Sequence, residues 1–438
     1  MKLLCQLLFC VFSLAACRFE QTEREFLQVR ARLLETSMKA DSAGMVAARQ
    51  RFEKFLSHEK ITRNDSLRAW THYYIAFANW QLAFTTMGNR EATLALVEDA
   101  LTHLNTALKL RENLPEAYAV MRRCHYWLFT LDRSRARTIF AESNAALQKM
   151  QALAPAHPVT LLEEAIDVFY KPPQAGGSQQ KAEEKFQAAQ HAFAAQKQLE
   201  PAQAHWWQAT THMMRGQTHL AVGRVDEAAL AFEAAVALEP EYDYVKNVMH
   251  PMTQLVNTPS LRDFTSAPWS LLSRDSENDG GNPNWAAVNA LSYFYDATTD
   301  TVWFKFDLAR LPNPHAFGIN LVVDTDDNQI TGANWWGGNR AFTYDRLVSV
   351  WVVKSGAEAF RGTVGVGDFH GVTSGRYTNI ARNNLAFRAD SSLRVMLLGI
   401  KRAELDEDGR MHLIAAVGSH AGWNDDVPDS SAIKFTLK

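Results

Sequence analysis

Cysteine is scarce, with four in 438 residues. Cys5, Cys10 and Cys17 fall at the very start and Cys124 stands alone in the body of the chain. One thiol cannot form an internal disulfide, so the fold depends on apolar burial. Cys124, in the run Arg-Arg-Cys-His-Tyr-Trp-Leu-Phe, reads as a small buried apolar residue and not as a nucleophile. Paired-cysteine and His-Glu-x-x-His spacings are missing, which excludes the common zinc sites. A Gly-x-Ser-x-Gly elbow and a phosphate-cradling glycine loop are missing too. The segment Gly362-Thr-Val-Gly-Val-Gly367 alternates along an expected strand and opens no helix. No pair of residues is placed like haem axial ligands. Charge of one sign is not in excess: 45 basic and 48 acidic residues leave a net −3. That balance excludes a general nucleic-acid binder. After the first residues no stretch reaches 18 apolar positions, so no membrane span is expected. Carboxylates are plentiful, but none is singled out as acid or nucleophile, and the chain reads as no enzyme. A glycosidase remains the catalytic alternative, because its two carboxylates need only meet in space.

What is present begins with Met-Lys-Leu-Leu and an apolar run from Leu3 to Ala16. Such a run is too short for a comfortable span and reads as a secretory signal over residues 1–16. Its end, Leu14-Ala15-Ala16-Cys17, resembles the bacterial lipoprotein signal, which implies cleavage before Cys17 and acylation of that residue. Several acyl chains anchor firmly, since each buried CH₂ adds about 0.8 kcal/mol. The next residue is Arg18 and not Asp, which leans towards the outer membrane. The expected protein is therefore attached to a membrane by a palmitate-type lipid anchor, facing the periplasm or the surface.

Hydrophobic residues make up 47% of the chain, with 12 Trp and 24 Phe, enough for more than one core. Composition shifts near residue 250. Sixteen of the 22 Gly lie beyond it, and net charge is +1 before and −4 after. The first part has apolar residues at helical spacing. The second alternates and carries turn clusters such as Asp279-Gly280-Gly281-Asn282-Pro283. The expected organisation is a helical repeat domain over 17–250, a linker over 251–257 and a β domain over 258–438.

Within the first part, Ala209 to Tyr242 places Gly216, Gly223, Ala228, Phe232, Ala235 and Pro240 at set positions of a 34-residue unit. Small residues let two helices cross closely, an aromatic fills the groove, and proline ends the second helix. This resembles the tetratricopeptide repeat. The second-helix signature recurs as Ala48/Phe52/Phe55, Ala100/Leu104/Ala107, Ala136/Phe140/Ser143 and Ala182/Phe186/Ala189. Tyr170-Lys-Pro-Pro-Gln-Ala-Gly-Gly-Ser reads as a loop opening a long helix. With Glu241-Tyr-Asp-Tyr-Val-Lys246 it resembles secreted bacterial repeat proteins, including accessory repeat lipoproteins of some solute transporters. Stacked repeats form an α-solenoid whose concave face is expected to hold a protein partner.

In the second part, strands are expected at Leu291–Asp296, Thr301–Leu308, Phe317–Asp324, Arg346–Val353, Phe360–Val366, Leu393–Ile400, His412–Val417 and Ala432–Leu437. Their loops leave little room for helical crossovers, so the fold class is an antiparallel β-sandwich after the solenoid. Trp303 lies opposite Val302 and Phe304 in the alternation, and Trp351 lies opposite Val350 and Val352. Trp335 and Trp336 sit in a Gly- and Asn-rich loop, and Trp423 in Gly-Trp-Asn-Asp-Asp. Exposed flat rings beside Asp and Asn suit polysaccharide, so these five Trp are the candidate ligand-binding set. Asp324, Asp326 and Asn328 put oxygen ligands at alternate positions, as at the start of a calcium loop. Gln329 and Trp335 then stand where an EF-hand needs Gly and Glu, so only a structural Ca²⁺ is expected. Asp425, Asp426 and Asp429 form a second acidic cluster.

Asn284-Trp285, the paired Tyr293–Asp296 and Val302–Phe306, and Ile319-Asn-Leu-Val-Val-Asp-Thr-Asp326 with Thr331-Gly332 together resemble the family 9 carbohydrate-binding and glucodextranase C-terminal type of sandwich. The resemblance implies this fold from Thr258 to the end. Domains of that superfamily serve sugars, haem and other ligands. Two functions are carried forward: an envelope lipoprotein scaffold whose sandwich binds glycan, and a structural or transport-accessory adaptor whose sandwich binds protein.

Overall fold

The computed structural model describes residues 21–86, 89–196, 206–254, 264–275, 287–310, 316–326, 328, 333–335, 342–355, 359–369, 377–378, 384–390, 394–405, 410–419, 422–428 and 432–437. The lipoprotein signal, Cys17 and Asp429 lie outside them. Contacts divide the chain into two compact units. One comprises residues 1–163 and 191–207, the other 164–190 and 208–438.

The helices are α1 (21–38), α2 (Ser42–Phe55), α3 (Glu59–Thr62), α4 (Asp65–Thr85), α5 (Arg90–Leu110), α6 (Pro115–Leu131), α7 (Ala136–Leu153), α8 (Pro158–Tyr170), α9 (Gln179–Ala195), α10 (Trp206–Ala221) and α11 (Val225–Leu238). Local signals start them. Asp41, Asn64 and Asn89 each accept a backbone N–H three residues on, at 3.0, 3.1 and 3.0 Å, which caps α2, α4 and α5. Pro115 opens α6.

The repeat signatures fall on the second helix of successive pairs, and in four of the five they are buried: in α2, α5, α9 and α11. Gly216 shows the steric logic. A Cβ there would stand 2.4 Å from the Phe232 ring, so α10 and α11 cross only because residue 216 has no side chain. In α7 the expected register is wrong. Phe140 is 52% exposed, and the buried residues are Ile139, Ala146, Leu147 and Met150. The apolar stripe of α7 runs through Ile139 and Ala146, so Phe140 falls outside it and packs on Phe129 at 4.9 Å.

The loop before α9 depends on glycine at two points. Gly176 has φ +93°, and a Cβ on Gly177 would strike the Lys171 carbonyl oxygen.

The strands are β1 (Ser270–Arg274), β2 (Ala287–Asp296), β3 (Thr301–Arg310), β4 (Ala316–Asp324), β5 (Ala333–Asn334), β6 (Thr343–Tyr344), β7 (Arg346–Ser355), β8 (Ala359–Phe369), β9 (Tyr377–Thr378), β10 (Leu385–Asp390), β11 (Val395–Lys401), β12 (Arg410–Ser419), β13 (Gly422–Val427) and β14 (Ile433–Thr436). One sheet has the order β1-β2-β3-β11-β10; the other runs β13-β12-β4-β7-β8-β9, with β14 also on β12. All these pairings are antiparallel. The main core lies between the sheets and includes Val302, Phe304, Phe306, Ile319, Leu321, Val348, Val350 and Leu398. The chain is thus an α-solenoid followed by an antiparallel sandwich. The eight expected strands are present as β2, β3, β4, β7, β8, β11, β12 and β14. The longer ones not foreseen are β1, β10 and β13.

Candidate functional site

Trp303 and Trp351 lie, as the alternation predicts, on the faces pointing away from the core between the sheets. Those faces do not meet water as expected. Trp303 is 3% exposed. It packs with Phe264, Val395, Leu397, Trp269 and Phe294 in a second apolar layer on the five-stranded sheet. Residues 264–269 cross that sheet and supply the cover. The Trp269 indole N–H donates to the Phe264 carbonyl at 2.6 Å, which fixes the crossing segment. The Trp303 ring also lies on Gly399, its cross-strand neighbour, within 2.6 Å of where a Cβ would be.

Trp335 is 1% exposed. It fills a third apolar layer with Val322, Phe342, Tyr344, Ile414 and Ala416, on the outer face of the seven-stranded sheet. Its backbone N–H donates to the Phe342 carbonyl at 2.8 Å, and its indole N–H donates to Asp426 Oδ2 at 2.8 Å. Asp426 is fully buried, so the second acidic cluster contributes an internal acceptor. Burying a carboxylate without partners is costly, and this hydrogen bond offsets part of that cost.

Trp351 is part-buried. It packs with Val225 and Val353, its indole N–H points at the Leu220 carbonyl at 3.4 Å, and its ring covers Gly318. This ring joins the sandwich to α10 and α11 within one compact unit. The expectation of solvent-facing rings therefore fails for Trp303 and Trp335, because loops and linkers cover both outer faces. Trp351 serves as a joint. The side chains of Trp336 and Trp423 lie outside the described residues; the backbone of Trp423 is in β13 opposite Gly418.

The expected cation ligands lie where β4 ends. Asp324, Asp326 and Asp345 each bring an oxygen within 4.8 Å of the other two. Asp345 was missed in the sequence because it lies 21 residues from Asp324. Register explains the meeting: Val323 pairs with Arg346, so the next residue of β4 and the one before β7 are neighbours. Asp345 accepts from the Thr325 N–H at 3.0 Å, and Asp326 accepts from the Asn328 N–H at 3.0 Å. Burial first, then the charges of Asp345 and Asp326, raise the Asp324 carboxyl above its ordinary pKa. His412 Nδ1 stands 3.8 Å from Asp324. Three convergent carboxylates suit a hard, oxygen-seeking cation.

Cys124 is fully buried, and burial pushes its thiol well up. Among the solenoid helices, α4 is buried around most of its circumference. Its Phe77 and Trp80 pack on Trp206 at 5.1 and 5.8 Å. This face of α4 is filled by the chain itself. Among the described residues, no helix is long and apolar enough to cross a membrane.

No family model and no curated protein matches the chain. Among solved structures it is similar to the HusA haemophore from Porphyromonas gingivalis, at 21% identity over 43% of this chain and 92% of that one, with a TM-score of 0.36. It is also similar to a thermophilic TPR protein of Thermus thermophilus, at 18% identity over 51% and 95%, with a TM-score of 0.34. At such scores neither likeness argues for a ligand.

Proposed function

We propose that this chain is a non-catalytic scaffold of the bacterial envelope, held at the outer membrane through acylated Cys17, whose helical repeats recruit a protein partner. The observation that carries this reading is the use of Trp351. It joins the sandwich to the last repeat pair, so the β domain is built into the repeat scaffold. Trp303 and Trp335 are spent on internal cover, and recognition is assigned here to the exposed surface of the repeats. Capture of a discrete protein from the native envelope by a tagged chain tests the scaffold. Cys17→Ser tests the anchor, since it should release the protein from salt-washed membranes.

Glycan binding is the second reading, and one observation favours it. The Trp335–Asp426 hydrogen bond ties residue 335 to β13, the strand whose sequence also holds Trp423. A polysaccharide array with Trp336→Ala and Trp423→Ala separates it from a sandwich that binds protein alone. A structural Ca²⁺ at Asp324, Asp326 and Asp345 belongs to either reading, as a brace for the loop that follows β4.

A further inference from the structure

The short connection between α6 and α7 is basic. Between residues 132 and 137 there are three arginines and one acidic residue, in a protein of net charge −3, while Arg122 and Arg123 further back on α6 pair with Glu163. Asp132, the acidic one, is committed to the turn: its Oδ1 accepts from the Ser134 N–H at 3.1 Å and from the Ser134 hydroxyl at 2.5 Å. Arg133, Arg135 and Arg137 are all exposed, and Arg90 braces the end of α6 by donating to the Leu131 carbonyl at 3.3 and 3.2 Å. Around these charges stand aromatic rings that the solenoid core does not use. Tyr126 is 67% exposed and Phe140 52% exposed, and Phe140 packs on Phe129. The Arg133 guanidinium lies 5.6 Å from the Phe129 ring centre. Tyr126 and Phe129, three residues apart, lie on one side of α6, and Arg133 in the turn just after it reaches back over the Phe129 ring.

We propose that this tip is a membrane-surface contact, with the arginines on anionic headgroups and Tyr126, Phe129 and Phe140 entering the interface between them. A protein partner is usually held in a groove or on a flat face; here the residues sit at the turn of a helix hairpin. Aromatic rings with an apolar body and a wet edge, flanked by arginines whose stems can lie along apolar surface, have the composition of an interfacial anchor. Each arginine close to an anionic bilayer adds about 1 kcal/mol, and the attraction falls off within a Debye length. The contact is separate from the lipid anchor and would fix which side of the solenoid faces the bilayer.

The test uses the chain from Arg18 to Lys438, which cannot be acylated and holds every described residue, so failure of the anchor cannot mimic failure of the tip. It should sediment with vesicles of equal parts phosphatidylglycerol and phosphatidylcholine at low salt, detach at high salt, and ignore vesicles of phosphatidylcholine alone. Replacing the three exposed arginines together, Arg133→Gln, Arg135→Gln and Arg137→Gln, should weaken binding on the order of a hundredfold. Tyr126→Ser with Phe140→Ser should weaken it further. Unchanged melting temperatures would show that both sets of variants fold. Equal binding to both vesicle types, or full binding by the arginine variant, would overturn the proposal. Capture by a polyglutamate peptide with no vesicle binding would also overturn it and assign the tip to an acidic protein.

Discussion

The indole N–H of Trp335 donates to Asp426 Oδ2 at 2.8 Å, with both residues buried on the outer face of the seven-stranded sheet. A residue that reads in sequence as a sugar-stacking ring is a strut between the β5–β6 hairpin and β13. Trp335→Ala should cost about 3–5 kcal/mol, as for other buried Trp truncations. Trp335→Phe keeps most of the ring but removes a donor from a buried carboxylate, at about 1–3 kcal/mol. Thermal melts check both. A melt like the wild type together with a lost glycan signal would return Trp335 to the binding surface.

The contrast shows how far the sequence reaches. Gly216 and Phe232 are legible because their packing is local: one helix hairpin brings them together, and the 34-residue spacing records it. The strands with clean alternation are legible for the same reason, and Trp303 and Trp351 were assigned to the right faces. What covers those faces is not local. Phe264 and Trp269 reach Trp303 from the segment before β1, and Leu220 and Val225 reach Trp351 from the repeats. No period along β3 or β7 encodes that cover. Asp345 was hidden likewise, since only the β4–β7 register brings it to Asp324. Phe140 misled through its type: an aromatic near the expected position outweighed the apolar stripe through Ile139.

Gly399 offers a sharper test of the second apolar layer. A Cβ on residue 399 would approach the Trp303 ring to 2.6–2.9 Å, closer than any ordinary contact. The ring is pinned by Phe264, Val395 and Leu397 and cannot step aside. Gly399→Ala should therefore destabilise the sandwich by about 1–3 kcal/mol through overpacking. Gly399→Ala should cost less in a Trp303→Leu background than in the wild type, because the clash is gone. Urea melts of the two single variants and the double variant measure that coupling.

If Asp324, Asp326 and Asp345 hold calcium, the ion binds the folded chain and raises its melting temperature. At a hundred times the dissociation constant the gain is about 2.7 kcal/mol. Asp345→Asn should abolish the calcium-dependent increment, and so should Asp324→Asn. Asn328→Ala should leave most of it, since that residue's contact with Asp326 runs through its backbone N–H. Calorimetry with and without chelator decides. A wild-type melt that chelator and calcium leave unmoved would reduce the group to a turn.

The last prediction concerns acid and the first unit. His72 on α4 and His103 on α5 face each other with 2.8 Å between their Nδ1 atoms. One must donate and the other accept, so the contact is lost once both rings are protonated. Burial, then His103, then Arg68 lower the His72 pKa from 6.5 to about 4. Burial also lowers His103, against the opposing pull of Asp99 and Glu53 and with added repulsion from Arg49. Asn79 ties the group together, accepting from Arg49 at 2.8 Å and donating to Asp99 at 2.6 Å. Between pH 4 and 6.5 the unfolded chain binds more protons at His72 than the folded one, and His103 acts in the same direction. The stabilisation is therefore complete above pH 6.5 and is lost as pH falls towards 4. The rings are only half-buried, and solvent screening reduces the effect to about 1–2 kcal/mol. His72→Gln removes the titrating ring and should flatten this part of the profile, with a smaller fall in melting temperature between pH 7 and pH 4.5 than the wild type shows. An equally steep fall in the variant would assign the acid sensitivity to carboxylates elsewhere.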